Sequence, residues 1–324
     1  MNITIIGSGQ IGSRHLQSLS NLEYPLNIQL VDPSKDSLRI AKNRFFEVCN
    51  NKDNSKLICF YQDIDEIVDP IEIGIIATTS NVRANVVTDL LQKKVVNNLI
   101  LEKFLFQKVK DYYLIKKLLE DKNIPAWVNC WPRTTDLYVS IKQKLDLSKK
   151  IKIIVSGSNW GIGARAIHFL DLFAFYVGWN GFEFTKFILD EKILETNRTG
   201  FTDYMGYITG VDKNGNELEF ISSNGGSEPF NVTIINEVQE HRIIVYENHI
   251  LYKYTDDNSV LEKKYPMILQ SKMTDKIINQ IIQSGTCELP EYDESMKYHL
   301  KFMEAMMNYL NSLSNKEIHL CPIT

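Results

Sequence analysis

The chain begins with an apolar strand that runs directly into a glycine-rich turn. Residues 2–6 read Asn-Ile-Thr-Ile-Ile, and the turn that follows has the spacing Gly-x-Gly-x-x-Gly, with its glycines at Gly7, Gly9 and Gly12. Residues 13–19 predict a helix, and an acidic residue, Asp32, ends the next apolar run. A strand, a glycine turn, a helix and an acid in this order are typical of a dinucleotide-binding unit.

Each glycine of this turn has a physical role in such a unit. Gly7 permits the tight turn, Gly9 lets a pyrophosphate approach the backbone, and Gly12 lets the helix pack close to the strand. Gln10 and Ile11 open the helix, where unpaired N–H groups and a partial positive charge favour phosphate. The turn therefore predicts a cofactor site built from Gly7, Gly9, Gln10, Ile11 and Gly12.

Asp32 indicates which dinucleotide is bound. A carboxylate at this position accepts hydrogen bonds from the ribose 2′-hydroxyl and repels a 2′-phosphate. Lys35 lies close enough in sequence to soften that preference. The predicted cofactor is NAD, with NADP as the alternative.

Length and charge narrow the class of protein. A chain of 324 residues is long enough for about two domains. The net charge is −4 and the sequence has no large basic block, so nucleic-acid binding has no electrostatic support. No apolar run reaches the roughly 18 residues of a membrane span, and no export signal is evident, so neither a membrane nor a nucleic acid is a predicted partner.

The five cysteines are scattered and form no Cys-x-x-Cys pair. Dispersed cysteines without an export signal predict reduced thiols and a cytoplasmic location. No cluster of histidine, cysteine and carboxylate has the spacing of a metal site, so no metal is predicted.

Strands and helices alternate in the first part of the chain. The predicted strands are 2–6, 26–31, 57–61, 71–77, 95–101 and 125–129. The predicted helices between them are 10–20, 34–49, 81–93 and 107–121. Such alternation indicates a doubly wound parallel sheet, an α/β Rossmann domain over residues 1–125.

The remainder, residues 126–324, predicts an α+β domain for substrate binding and oligomerisation. Its strands are expected at 151–157, 183–190, 204–211, 217–223, 230–236, 241–246 and 249–254, which indicates a mostly antiparallel open sheet. Flanking helices are expected at 164–177, 271–284 and 292–313. The last two are candidates to pack against the first domain.

Three motifs in this order resemble a known family. They are Gly7-x-Gly9-x-x-Gly12-x-x-His15, the pair Glu102-Lys103 after the fifth strand, and a helix bearing His168 in the second domain. The chain resembles the Gfo/Idh/MocA oxidoreductases over essentially its whole length. The resemblance implies NAD(H) or NADP(H) chemistry on a hydroxyl or carbonyl of a sugar, cyclitol or nucleotide sugar.

Two positions depart from the family pattern. The family's Glu-Lys-Pro reads Glu102-Lys103-Phe104 here, and the Asp that many members place four residues before the helix histidine is Ala164. A carboxylate occurs instead at Asp171, one turn after His168.

The resemblance implies catalytic roles for Lys103 and His168, and helical spacing adds Asp171, one turn after His168, as a third candidate. An ammonium at Lys103 would stabilise alkoxide character on the substrate oxygen, although a lysine taken alone is more often a solvated surface group. His168 would exchange the substrate proton, although by itself it reads as a core histidine. Asp171 would orient the imidazole or bind a sugar hydroxyl.

Loops at the ends of the parallel strands, where such sheets bind ligands, and the residues that flank the helix of His168 supply the remaining candidates. The predicted cofactor contacts in these loops are Thr78, Thr79, Glu102 and Lys103, and His15 is expected to pack beside the cofactor loop. The predicted substrate contacts are Asn129, Arg133, Trp160 and Arg165. Arg133 reads equally as a domain-interface charge, and Trp160 and Arg165 as a loop residue and a surface charge.

The leading functional hypothesis is a dehydrogenase or reductase that moves a hydride between nicotinamide and a sugar or nucleotide sugar. A second enzyme hypothesis keeps the cofactor but recycles it within one turnover, which gives glycoside cleavage or epimerisation. The non-enzyme hypothesis is a sensor of dinucleotide or nucleotide sugar. An open sheet face also predicts a homodimer or homotetramer.

Overall fold

A computed structural model describes residues 1–49, 56–194, 196, 198–314 and 317–324. The chain divides into two compact units. The first comprises Met1–Cys130 and Ile268–Met296, and the second comprises Trp131–Met267 and Lys297–Thr324. The first unit therefore extends beyond the boundary expected after residue 125, because the strand Ala126–Val128 pairs with the sheet of that unit.

The first unit contains a six-stranded parallel sheet. Its strands are β1 (Asn2–Ile6), β2 (Leu26–Val31), β3 (Lys56–Tyr61), β4 (Ile73–Ile76), β5 (Leu99–Leu101) and β6 (Ala126–Val128). They are arranged in the order β3-β2-β1-β4-β5-β6, with the reversal of winding beside β1. The doubly wound Rossmann sheet predicted for this part of the chain is confirmed.

Helices connect these strands and cover the sheet. They are α1 (Gln10–Leu19), α2 (Lys35–Phe46), α3 (Ser80–Lys93) and α4 (Val109–Asp121). The strands form because most of their residues are apolar, many of them β-branched, and are buried on both faces, as parallel sheets require. The carboxyl ends of β1, β4 and β5 therefore open into loops at one edge of the sheet.

A helix from the C-terminal part of the sequence, α7 (Thr274–Ser284), packs in this unit against α1. Leu16 and Leu19 of α1 share a buried core with Ile278 and Ile281 of α7. The hydroxyl of Ser18 donates to Asp275 Oδ1 at 2.7 Å and accepts from the Asp275 backbone N–H at 2.9 Å. These contacts fix α1, the helix that follows the glycine turn.

The second unit contains an eight-stranded sheet. Its strands are β7 (Lys152–Ser158), β8 (Glu183–Leu194), β9 (Asp203–Val211), β10 (Glu217–Ser223), β11 (Phe230–Ile235), β12 (Gln239–Val245), β13 (His249–Asp256) and β14 (Val260–Pro266). Their order is β14-β13-β12-β11-β7-β10-β9-β8. Among these described strands, every neighbouring pair is antiparallel except β7 and β10, so the predicted mostly antiparallel sheet is confirmed.

Two elements of this unit were not predicted. The helix α5 (Asp136–Lys144) has only nine residues, too few turns for a clear apolar period. Strand β14 lies at the sheet edge with nearly all of its residues exposed, so its sequence shows no alternation of apolar and polar residues. β14 forms because its backbone pairs antiparallel with β13.

Two further helices complete the chain, α6 (Ile162–Val177) and α8 (Tyr292–Leu313). Helix α6 is buried around most of its circumference, and Phe169 on it joins an aromatic cluster with Trp160, Phe220 and Phe230. None of the helices in the described ranges is both long and apolar enough to cross a membrane.

A buried histidine lies in the large sheet. His241 on β12 is fully buried, with Nδ1 2.8 Å from the hydroxyl of Tyr252 and its ring centroid 4.9 Å from that of Tyr254. Burial, together with the positive charge of Lys144, lowers the pKa of His241 to about 4. The folded state therefore disfavours the imidazolium.

This pKa predicts acid-sensitive stability of the second unit. The contribution of neutral His241 is complete above the unfolded pKa of about 6.5 and is lost as pH falls toward 4. We expect the free energy of unfolding to fall by about 2 kcal/mol from pH 7 to pH 5 through this group. Urea denaturation at both pH values should show a smaller fall in His241→Phe, and an unchanged fall in the exposed control His319→Gln. An equal fall in all three proteins would contradict the assignment.

Candidate functional site

The glycine turn after β1 is closed by contacts that only glycine permits. Gly7 has a φ of +98°, and a Cβ there would lie 2.8 Å from the backbone of Ala77 and of Thr78. A Cβ on Gly12 would lie 1.7 Å from the carbonyl oxygen of Gly7, so the first turn of α1 packs directly on the turn. A Cβ on Gly9 would meet no atom within 4 Å, which leaves open space over this residue.

Helix α1 begins beside that open space. Gly9 caps the helix, and the first intrahelical bond runs from Ser13 N to Gly9 O at 2.9 Å. Gln10 is exposed and Ile11 is partly exposed, and their N–H groups precede that first bond. Gln10 and Ile11 therefore lie where a phosphate would meet the positive end of the helix.

Asp32 lies against the same turn. Its Oδ2 accepts the backbone N–H of Ser8 at 2.7 Å, and its Oδ1 accepts that of Ser34 at 2.8 Å. The two bonds fix the carboxylate at the end of β2, and an ionised carboxylate has further lone pairs for the hydroxyls of a ribose. Asp32 therefore lies beside the glycine turn, and its interaction with the adenosine sugar stays a prediction.

A cleft of about 500 Å³ opens over these residues, a volume typical of small-molecule sites. Its lining comes from the ends of β1, β2 and β4 and from nearby loops, and it includes Gly7, Gly9, Thr78 and Thr79. Asp32, Asp63 and Asp89 contribute carboxylates, and none of the described residues that line the cleft is basic. This balance of charge disfavours a 2′-phosphate.

Thr78 and Thr79 follow β4 and line the cleft, and their contact with the cofactor stays a prediction. Thr79 is the N-terminal cap of α3, and its hydroxyl donates to Asn81 Oδ1 at 2.6 Å. The loop therefore presents a second helix N-terminus to the cleft.

Glu102 is the centre of a buried hydrogen-bond network at the end of β5. Its Oε1 accepts from His15 Nε2 at 2.9 Å and from the Asn129 side-chain amide. His15 Nδ1 lies 2.8 Å from the Thr274 hydroxyl, and Gln270 accepts from Asn129 and donates to Thr274, each at 3.2 Å. The two ring nitrogens of His15 therefore link Glu102 to Thr274, and Gln270 closes the ring of bonds through Asn129.

The network keeps Glu102 ionised although it is buried. Burial by itself would raise the pKa of Glu102, but the hydrogen bond and charge of His15, the hydrogen bond from Asn129 and the charge of Lys103 lower it to about 2. Glu102 therefore acts as a fixed negative charge beside Lys103. His15 and Asn129 serve to hold Glu102 in place, which gives Asn129 a role other than the predicted contact with substrate.

Lys103 is half-buried in the loop after β5, and the peptide bond between Lys103 and Phe104 is cis. Phe104 stands where the family has proline, and the peptide bond that precedes it is cis. The loop residues Phe104, Leu105 and Phe106 are fully buried, so the segment that directly follows Lys103 is anchored in the core.

In the second unit, His168 lies on α6 with little exposure, and its ring centroid is 5.8 Å from that of Trp131. Asp171, one turn further on, is fully buried. Its Oδ1 accepts from the Tyr298 hydroxyl at 2.7 Å and from Arg133 Nη1 at 3.2 Å. Asp171 thus anchors a buried ion pair on the same helix as His168.

Arg133, Trp160 and Arg165 are placed differently from one another. Arg133 is committed to Asp171 and lies over the ring of Phe175, so its charge is internal to the second unit. Trp160 is buried in the aromatic cluster and its indole N–H donates to Ile221 O at 2.8 Å, which makes it a core residue rather than the predicted substrate contact. Arg165 is exposed, with its guanidinium over Phe230.

The sequence did not reveal several residues that support these groups. Gln270 and Thr274 complete the Glu102 network, and Tyr298 completes the Asp171 pair. Asp203 caps α6 by accepting the N–H of Ala164 at 3.2 Å. These partners come from distant parts of the chain, so no local motif marks them. Among the described residues, no group of three or more side chains is arranged to hold a metal ion.

Residues 1–130, most of the first unit, match a known protein family. Residues 1–130 match the model of a family described as an oxidoreductase family with an NAD-binding Rossmann fold, Gfo/Idh/MocA. The resemblance inferred from the sequence motifs is confirmed by this match, and so is the NAD-type cofactor. No curated protein matches the chain in sequence.

Solved structures match the chain almost from end to end. An oxidoreductase from Agrobacterium radiobacter, in complex with NAD+, L-tartaric acid and magnesium, is 15% identical with a TM-score of 0.70, covering 98% of both chains. A 3-ketoreductase from Actinomadura kijaniata, in complex with NADP and TDP-benzene, is 11% identical with a TM-score of 0.68, covering 94% of this chain and 96% of its own.

A third similar structure is the UDP-N-acetylglucosamine 3-dehydrogenase of Acidithiobacillus ferrooxidans. It is 12% identical with a TM-score of 0.64, and the match covers 94% of this chain and 97% of that one. At these identities the comparisons establish the fold of both units and leave the substrate open.

Two glycine variants separate the cofactor role of the turn from its folding role. Gly9→Ala should fold with an unchanged melting temperature, because its Cβ meets no atom, but should weaken NADH binding by about tenfold or more. Gly12→Ala should lower the melting temperature by several degrees, because its Cβ would overlap Gly7 O. Thermal melts and NADH fluorescence titration measure both. Unchanged NADH affinity in Gly9→Ala would contradict binding of the cofactor pyrophosphate at this turn.

Proposed function

The nucleotide-binding part of this chain, residues 1–130, belongs to the Gfo/Idh/MocA oxidoreductase family, and on that premise we propose a specific reaction. The protein transfers a hydride between nicotinamide and a hydroxyl or carbonyl carbon of a sugar or nucleotide sugar. NAD is its cofactor. The observation that carries this proposal is the cleft over Gly9, with Asp32 fixed at its edge.

Lys103 is the proposed acid–base group of the first unit. Bound NAD would supply the hydride acceptor or, when reduced, the donor. The Lys103 ammonium would hydrogen-bond the substrate oxygen and stabilise the negative charge that develops as the hydride moves. The ionised carboxylate of Glu102 is adjacent to it in sequence and interacts electrostatically with it.

His168 and Asp171 are proposed to act on the substrate from the second unit. His168 exchanges a proton with the substrate oxygen, a task suited to an imidazole. Asp171 contributes indirectly, because its bonds to Arg133 and Tyr298 fix the part of α6 that carries His168. Arg165, the exposed cation near the start of this helix, is retained as a substrate contact.

The choice of substrate class is supported by the fold relatives. One is described as a ketoreductase bound to TDP-benzene and another as a UDP-sugar dehydrogenase, whereas a third holds tartrate. A nucleotide sugar is therefore the first class to assay. An enzyme that recycles NAD within one turnover is the alternative, and it would produce no net NADH from a sugar. A non-catalytic sensor would bind both ligands without converting either.

Replacing the lysine should separate catalysis from binding. Lys103→Ala should lower turnover by about 100-fold or more and change the NADH dissociation constant by less than about threefold, because the ammonium serves the substrate oxygen. Turnover is followed as NADH absorbance with a panel of nucleotide sugars and sugars. Lys108→Ala, an exposed lysine of the following segment, is the matched control and should behave as wild type. Full activity in Lys103→Ala would remove this residue from the mechanism.

We also propose that the chain forms a homodimer or homotetramer through the sheet face of the second unit that carries its exposed and half-buried residues. Positive and negative side chains are interspersed on this face and form ion pairs, for example Lys152 with Glu219 at 3.0 Å and Lys253 with Glu262 at 2.9 Å. Such a face can meet its own copy isologously. Light scattering should give a mass of two or four chains, and a monomer at micromolar concentration would contradict the proposal.

A further inference from the structure

Arg83 is a buried arginine whose guanidinium is directed at backbone carbonyls. It lies in the first turn of α3 and is 1% exposed. Its guanidinium donates to the carbonyl oxygens of Thr78, Phe104 and Leu105, the last at 2.9 Å. A charged side chain is rarely buried unless its donors are satisfied, and carbonyl oxygens provide that satisfaction here.

The three carbonyls belong to two different loops. Thr78 lies in the loop after β4, which lines the cofactor cleft. Phe104 and Leu105 lie in the loop after β5, directly following Lys103. One planar guanidinium therefore joins the segment that touches the cofactor cleft to the segment that carries the proposed acid–base lysine. A lysine ammonium is a point charge and lacks this fork of donors.

The other side of Lys103 is anchored independently. Glu102 is held by His15 and Asn129 within the buried network at the end of β5. The backbone of Lys103 is thus fixed before the residue by a carboxylate network and after it by Arg83. Displacement of either anchor would move the ammonium relative to the cleft.

We infer that Arg83 is a positioning residue: it sets the loop of Lys103 relative to the cofactor cleft by binding the Thr78, Phe104 and Leu105 carbonyls. The inference rests on the proposed function, because its kinetic consequence is read as hydride transfer. The structural consequence, a shared restraint on two loops, can be measured without any substrate.

The variants are Arg83→Lys, which keeps the charge, and Arg83→Met, which keeps only the apolar stem. Lys94→Met is the matched control. Lys94 ends the same helix and its ammonium also donates to loop carbonyls, those of Asp65 and Ile67 at 3.1 and 2.6 Å, but in a loop remote in sequence from Lys103.

Kinetics form the first arm of the test. Rates are normalised to folded sites counted by NADH titration. Arg83→Lys should lower kcat by about 100-fold, since a misplacement of about 1 Å has effects of that size, and Arg83→Met should lower it at least as far. Arg83→Lys should also raise the KM for NAD by about tenfold, because the Thr78 loop is released with it. Lys94→Met should leave both constants within about twofold. A purely structural role predicts a lower Tm with unchanged kcat per folded site, and that result would overturn the inference.

Hydrogen–deuterium exchange forms the second arm and needs no turnover. In Arg83→Lys, the amides of residues 77–79 and 102–106 should both exchange at least several-fold faster than in wild type. Lys94→Met should leave both segments unchanged. Unaltered exchange in either segment would overturn the inference, whether or not the enzyme turns over. Faster exchange in both segments, with no activity in the wild type on any substrate, would support Arg83 as the shared restraint while the proposed reaction failed.

Discussion

The direct contact between the first turn of α1 and the glycine turn after β1 is the constraint on which the cofactor site depends. With no side chain at Gly12, the helix approaches Gly7 O closely enough that its N-terminus faces the open space over Gly9. The bond from Ser8 N to Asp32 then ties the same turn to the end of β2. The backbone geometry thus creates a phosphate site and a ribose acceptor before any ligand is bound.

The parts of the site that depend on spacing could be predicted from the sequence. The glycine turn, Asp32 and the Glu102-Lys103 pair follow strands, and the alternation of strands and helices predicts that these strands are parallel and end at one edge of a sheet. Their partners could not be predicted in the same way. His15 bonds to Glu102 and to Thr274, residues 87 and 259 positions away, and nothing local records such pairings.

The sequence indicates the role of Arg83 only once the buried face of α3 is known. It occupies the buried face of that helix together with Ser80, Ala84 and Val87, where the helical period calls for an apolar residue. A charged residue on a buried stripe indicates an internal hydrogen-bonding role. Trp160 shows the opposite error: an aromatic residue in a loop suggested a sugar contact, but its aromatic neighbours on α6, β10 and β11 make it part of the core.

The most direct test of the central claim is the binding of reduced cofactor to the wild-type protein. Titration with NADH and, separately, with NADPH should give saturable binding of NADH at one site per chain. NADPH should bind more weakly, since the carboxylates of Asp32 and Asp63 repel its additional phosphate. If neither dinucleotide binds, or if NADPH binds more tightly than NADH, then the cleft over the glycine turn is not an NAD site selected by these carboxylates.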